Sequence, residues 1–93
     1  MVIGVMQLAL RIPGAQSLKE KRRVLKSLIT RIRNKFNVSV SEVDTQDKWQ
    51  LSTIAVAHVG SDRPYANELL DQVKNLAERV RETEIIDSRL EFL

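Results

Sequence analysis

The stretch from Ser17 to Phe36 constrains the fold most, because it carries both a start signal and a helical period. Ser17 stands three residues before Glu20, the spacing of a capping box. Winding the following residues at about 100° each gathers Leu18, Val24, Leu25, Leu28, Ile29, Ile32 and Phe36 into one apolar arc. A helix over 18–36 with a buried face follows. The same winding puts Lys19, Arg22, Arg23, Lys26 and Arg33 on an adjoining ridge, with Arg31 and Lys35 on the opposite flank.

The other segments must supply what that helix packs on. Residues 2–12 alternate as a strand, with Val2, Gly4, Met6, Leu8, Leu10 and Ile12 on one side and Ile3, Val5, Gln7, Ala9 and Arg11 on the other. Pro13 and Gly14 then turn the chain. Residues 38–45 predict a half-exposed strand, Gln46 to Lys48 a short turn, and Trp49 to Gly60 a third strand, apolar on both faces. Asp62 and Pro64 open a second helix, whose buried arc is read as Tyr65, Ala66, Leu69, Leu70, Val73, Leu76, Ala77 and Val80. Asp71, Glu78 and Glu82 lie opposite that arc, and residues 84–93 form a last strand with weaker alternation.

Strand, helix, strand, strand, helix, strand is the order of a ferredoxin-like α+β sandwich: a four-stranded antiparallel sheet with both helices on one face. All 93 residues are expected in this single domain. The second sheet face is then uncovered. In the register that places Ala55 and Ala57 under the helices, Ile3, Val5, Ile54 and Val56 lie on that open face; the alternate residues do so if the register is reversed. With Trp49 at the edge, these residues make a candidate interface, and a homodimer is the expected assembly.

Charge gives the functional lead. The net charge is only +3, but residues 18–36 hold eight basic residues against Glu20 alone, and the remainder of the chain is net acidic. Lys19 with Arg23 and Arg22 with Lys26 are like-charge pairs at i,i+4, which destabilise a helix by about 0.2–0.5 kcal/mol each. Cations at the N-terminal half also oppose the helix dipole. Stability alone disfavours this arrangement. A phosphate-binding surface formed by Lys19, Lys21, Arg22, Arg23, Lys26 and Arg33 explains it, aided by free N–H groups at the helix start. Solvated charge, or neutralisation by acids of the second helix, is the bland alternative.

Other chemistry finds little support. The chain has no Cys, so disulfide scaffolds, cysteine nucleophiles and thiolate metal sites are excluded, and a reducing cytoplasm fits. The residues after Met1 lack the basic flank and length of a signal peptide or membrane span. His58, the single histidine, sits in an apolar strand and reads as a satisfied structural or surface residue rather than a catalytic one. Glu42, Asp44 and Asp47 lack the spacing of a calcium loop, and Pro13-Gly14 lacks the rest of a phosphate loop. No metal, cofactor or catalytic constellation is expected. Base stacking on central-strand aromatics has no support, since only Trp49 is available; that residue reads as packing first and stacking second. No reading of DNA sequence is expected.

Ile12-Pro13, the run from Ser17 to Arg22, the continuation Lys35-Phe-Asn-Val-Ser-Val40, Glu42 and Trp49 together resemble the bacterial domain of unknown function 503 family, the YlxP-like proteins. The similarity spans essentially the whole chain. It implies a ferredoxin-like domain, often encoded near translation-initiation and ribosome-maturation genes, and brings no catalytic residues. The expected role is therefore a cytoplasmic, non-catalytic RNA- or ribosome-associated accessory protein. The rival is a protein-interaction module docking an acidic partner through its open sheet face; a small-molecule role has no nominated residue.

Overall fold

The computed structural model describes residues 1–44 and 48–93. The elements run β1 (Val2–Arg11), α1 (Leu18–Lys35), β2 (Ser39–Asp44), β3 (Leu51–Gly60), α2 (Arg63–Glu78) and β4 (Glu84–Phe92). The four strands form one antiparallel sheet in the order β2-β3-β1-β4, and both helices contribute to the single core on one of its faces. This is the ferredoxin-like α+β arrangement. The expected turn residues Gln46 and Asp47 lie outside the described residues.

Local chemistry accounts for the helix limits. Ser17 is extended, and its hydroxyl accepts from the Glu20 N–H at 3.1 Å. The Glu20 carboxylate accepts in return from the Gln16 N–H at 2.6 Å, one residue earlier than in the standard capping box. Asp62 caps α2 by accepting from the Tyr65 N–H at 2.9 Å, with Pro64 in the first turn, where its missing N–H leaves no bond unmade. The turn before α1 is held by the Gln50 side chain, whose amide donates to the carbonyls of Pro13 and Ala15.

Strand register decides which residues enter the core. On β1, Met6, Leu8 and Leu10 face the helices, as the alternation predicts, and Ile3 and Val5 face away. On β3 the assignment is reversed from the expected one: Ile54 and Val56 are fully buried under the helices, whereas Ala55 and Ala57 lie on the open face. The cause is cross-strand pairing. Ile54 pairs with Leu8 and Val56 with Met6, and directly opposed residues share a face. Gly4 admits α2 closely, since a Cβ there would come within 2.9 Å of Leu70 Cδ1.

Two irregularities explain weak periodicity elsewhere. Ala9 pairs with Asp87 but Leu10 pairs with Ile85, so Ile86 is an extra, exposed residue in β4. Likewise Glu42 pairs with Ile54 and Asp44 with Thr53, leaving Val43 bulged and exposed. Each bulge breaks the two-residue period that a sequence reading relies on. The second helix is also shorter than its apolar pattern. It ends at Glu78; Val80 is buried from the following turn, and Tyr65 is exposed rather than part of the core face.

The face assignment has a direct test. Ile54→Ala is expected to cost about 2–5 kcal/mol in urea unfolding through lost burial and a cavity. Val5→Ala, on the open face, is expected to cost less than half as much in the same experiment; equal losses contradict the register.

Candidate nucleic-acid interface

The six cations nominated from the sequence separate into three environments. Lys19, Arg22 and Lys26 are exposed on successive turns of α1, and among the described residues no carboxylate lies within ion-pair distance of them. Arg23 is exposed beside them, 3.9 Å from Glu82, which is exposed too. That pair is loose and solvent-screened. Because α2 stops at Glu78, Glu82 is free of the helix geometry that would have carried it away, and it reaches Arg23 from the turn before β4.

Arg33 continues the ridge but is partly committed. Its Nη2 donates to the Val40 carbonyl oxygen at 2.7 Å, tying the last turn of α1 to β2. A phosphate contact by Arg33 would compete with that bond.

Lys21 does not belong to the surface at all. It is 0% exposed; its Nζ lies 3.0 Å from Glu42 Oε2 and donates to the Leu51 carbonyl oxygen at 2.9 Å. The Ser52 hydroxyl donates to the same Glu42 oxygen at 2.8 Å. Removing Lys21 from the phosphate-binding set is a correction. The signal for it was present in the helical winding, which puts position 21 inside the apolar arc, between Leu28 and Ile32.

The proposed interface residues also separate. Ile54 and Val56 are core residues and are withdrawn. Ile3 and Val5 are half-buried on the open sheet face, and Trp49 is 57% exposed just before β3, so it is not a packing residue of the fold. Aligned across the open face, Ser39, Ala57, Val5 and Glu91 form one row and Ser41, Ala55, Gln7 and Arg89 the next. The middle of this surface is made of small and polar side chains with charges at its β4 side, and its apolar part lies at one end, where Ile3 pairs with the exposed Val59 and its carbonyl accepts from the Leu93 N–H.

Among the described residues no three His, Cys, Asp or Glu side chains converge in a way that could hold a metal ion. No helix among them is long and apolar enough to cross a membrane. His58 is buried on the helix-facing side of β3.

Residues 3–90 match the family model described as "Protein of unknown function (DUF503)". The chain belongs to this family. A DUF503-like relative in Bacillus subtilis (strain 168), the uncharacterized protein YlxP, is 41% identical over 91 residues, covering 98% of this chain and 99% of its own. Solved structures agree in fold alone. The de novo designed protein Foldit4 superimposes with a TM-score of 0.55 at 14% identity, covering 98% of this chain and 96% of its own. SnoaB, a cofactor-independent oxygenase from Streptomyces nogalater, gives 0.54 at 12% identity, covering 99% and 90%. LarC2, the C-terminal domain of a cyclometallase, gives 0.51 at 12% identity; the match covers all of this chain and 55% of LarC2.

In DUF503 terms, the Ser-Leu-Lys-Glu-Lys-Arg run thus divides its work: Ser17 and Glu20 cap, Lys21 is interior, and Lys19 and Arg22 face solvent. Lys21→Met is expected to lower stability by about 3 kcal/mol, because it takes the ammonium away from the mostly buried Glu42 carboxylate. In the double variant Lys21→Met/Glu42→Leu the urea midpoint is expected to recover part of that loss. Additive losses, or a Lys21→Met midpoint no lower than that of Lys26→Ala, rule out the buried pair as an energetic unit.

Proposed function

We propose that this chain is a non-catalytic accessory protein that associates with RNA or the ribosome in the cytoplasm, contacting phosphates through Lys19, Arg22, Arg23 and Lys26. The observation that carries this reading is the exposure of Lys19, Arg22 and Lys26 with no carboxylate within ion-pair distance among the described residues, in the half of α1 where the dipole disfavours cations. Four side chains on consecutive turns present a line of positive charge along one helix face. Such a line suits a phosphate backbone and adds affinity without reading bases.

A second reading, a protein-interaction module, draws on the open sheet face. Its rows of Ser, Ala, Val and Gln side chains let another flat surface approach closely, with Ile3, Val5 and Trp49 as apolar contacts in a homodimer or with an acidic partner. This face and the ridge belong to opposite sides of the molecule, so the two readings separate by mutation.

Filter binding of RNA across a salt series tests the first reading. With four phosphate contacts, log K is expected to fall against log salt with a slope of about −3 to −4. Neutralising Lys19, Arg22, Arg23 and Lys26 together is expected to remove binding at moderate salt while the urea midpoint stays unchanged or rises. Undiminished binding by this variant excludes the ridge, and a flat salt response with a retained protein partner favours the interaction module.

A further inference from the structure

The two outer strands of the sheet differ in how their free edges are protected. β2 is short, carries the Val43 bulge, and has its Val40 carbonyl occupied by Arg33. β4 is longer, and beyond the bulge at Ile86 it pairs regularly with β1 from Asp87 to Phe92, with no strand on its outer side among the described residues. An open edge is a template for another strand, and soluble proteins commonly blunt it with proline or lysine. Residues 87–92 contain neither.

Hydrogen-bond parity tells which residues face that edge. The Leu93 N–H donates to the Ile3 carbonyl oxygen at 2.8 Å, so Leu93 and, by alternation, Glu91 and Arg89 turn their main-chain groups toward β1. Ser88, Leu90 and Phe92 therefore turn theirs outward. Leu90 pairs with Met6, which puts its side chain on the helix-facing side, where it is 41% exposed. Arg89 and Glu91 pair with Gln7 and Val5 and stand exposed on the open face. Arg89 lies 3.9 Å from Asp87, an exposed and solvent-screened contact that leaves it available.

We propose that β4 pairs antiparallel with β4 of a second copy of this chain, about a two-fold axis at Leu90, joining two four-stranded sheets into one. The sequence of the edge selects that register. An axis at Arg89 or Glu91 sets the residue against its own copy, and like charges directly opposite destabilise a strand pair. An axis at Ser88 runs the pairing into the Ile86 bulge. An axis at Leu90 avoids both: Arg89 faces the partner's Glu91, Glu91 faces the partner's Arg89, and the two exposed Leu90 side chains meet on the other side of the sheet. The contact is isologous, as a closed dimer requires. It uses neither the ridge on α1 nor the apolar end of the open face, and shares with the interaction-module reading only the fact of self-association.

Sedimentation velocity of the full chain over a concentration series is expected to show a dimer. Arg89→Glu and Glu91→Arg each oppose like charges across the axis and are expected to weaken the dimer about tenfold, whereas mixing the two variants, or combining both substitutions in one chain, is expected to restore it. The chain has no Cys, so single cysteine variants give one crosslink each. Leu90→Cys is expected to yield a covalent dimer on mild oxidation, because facing hydrogen-bonded residues have Cα atoms about 5.5 Å apart; Val5→Cys is expected to stay monomeric under denaturing electrophoresis. Urea midpoints verify that each variant is folded. The proposal is overturned by a monomer at every concentration, by a dimer that both charge variants leave intact, by a mixture of them that fails to associate, or by crosslinking of Val5→Cys in place of Leu90→Cys. That last result assigns the dimer to the open sheet face, so failure of the edge contact and failure of the face contact are read separately.

Discussion

The molecule is built around a lysine ammonium that has been taken out of water. Lys21 leaves α1 from the middle of its apolar stripe and ends between the Glu42 carboxylate and the Leu51 carbonyl, so three separate segments meet at one charge. Removing such a charge from solvent costs several kcal/mol, and the cost is offset only when its donors are satisfied with good geometry. Glu42 is held in turn by the Ser52 hydroxyl, and its side chain retains 18% exposure, so water shares in its solvation. The pair therefore contributes more to placement than to net stability. Leucine at position 21 would be accommodated at many helix rotations, whereas an ammonium with fixed partners selects one.

That selection bears on the surface. Fixing the rotation of α1 determines where Lys19, Arg22, Arg23 and Lys26 emerge, because positions one to five residues away on a helix have set angular offsets from Lys21. The last turn is fixed by a second bond, from Arg33 to the Val40 carbonyl. Two basic residues are thus used internally, one near each end of the helix, and the intervening cations are left outward. The excess of positive charge in this segment has two causes rather than one.

Sequence reading reached the fold because its signals were local. Ser17 and Asp62 cap as read, the apolar arcs of both helices meet the core, and the strand order follows from element type alone. It failed where a result depended on pairing. β3 is apolar on both faces, so its own pattern is silent on which side is buried; only its alignment with β1 puts Ile54 and Val56 inside. The bulges at Val43 and Ile86 depend on a neighbouring strand in the same way. Lys21 is a different case: its charge points to the surface, whereas its angular position on α1 places it in the core. For the ridge, exposure was legible for Lys19, Arg22 and Lys26, but the Glu82 contact to Arg23 required knowing where α2 stops. His58 is buried rather than at the surface, and its close approach to Gly60, where a Cβ would come within 2.9 Å of Nε2, is a feature of three-dimensional proximity.

The sealed ammonium of Lys21 also makes the protein its own clock. Reagents and enzymes that acylate amines reach Lys19, Lys26 and Lys35 from solvent at all times, but they reach Lys21 only when α1 lifts from the end of the sheet. Its rate of modification under native conditions then follows the opening of the contact between α1, β2 and β3, through the open population when reclosing is fast and through the opening rate when modification outpaces it. A modified Lys21, once neutral, would hinder the junction from closing again, so a molecule caught open would keep a chemical record of the event.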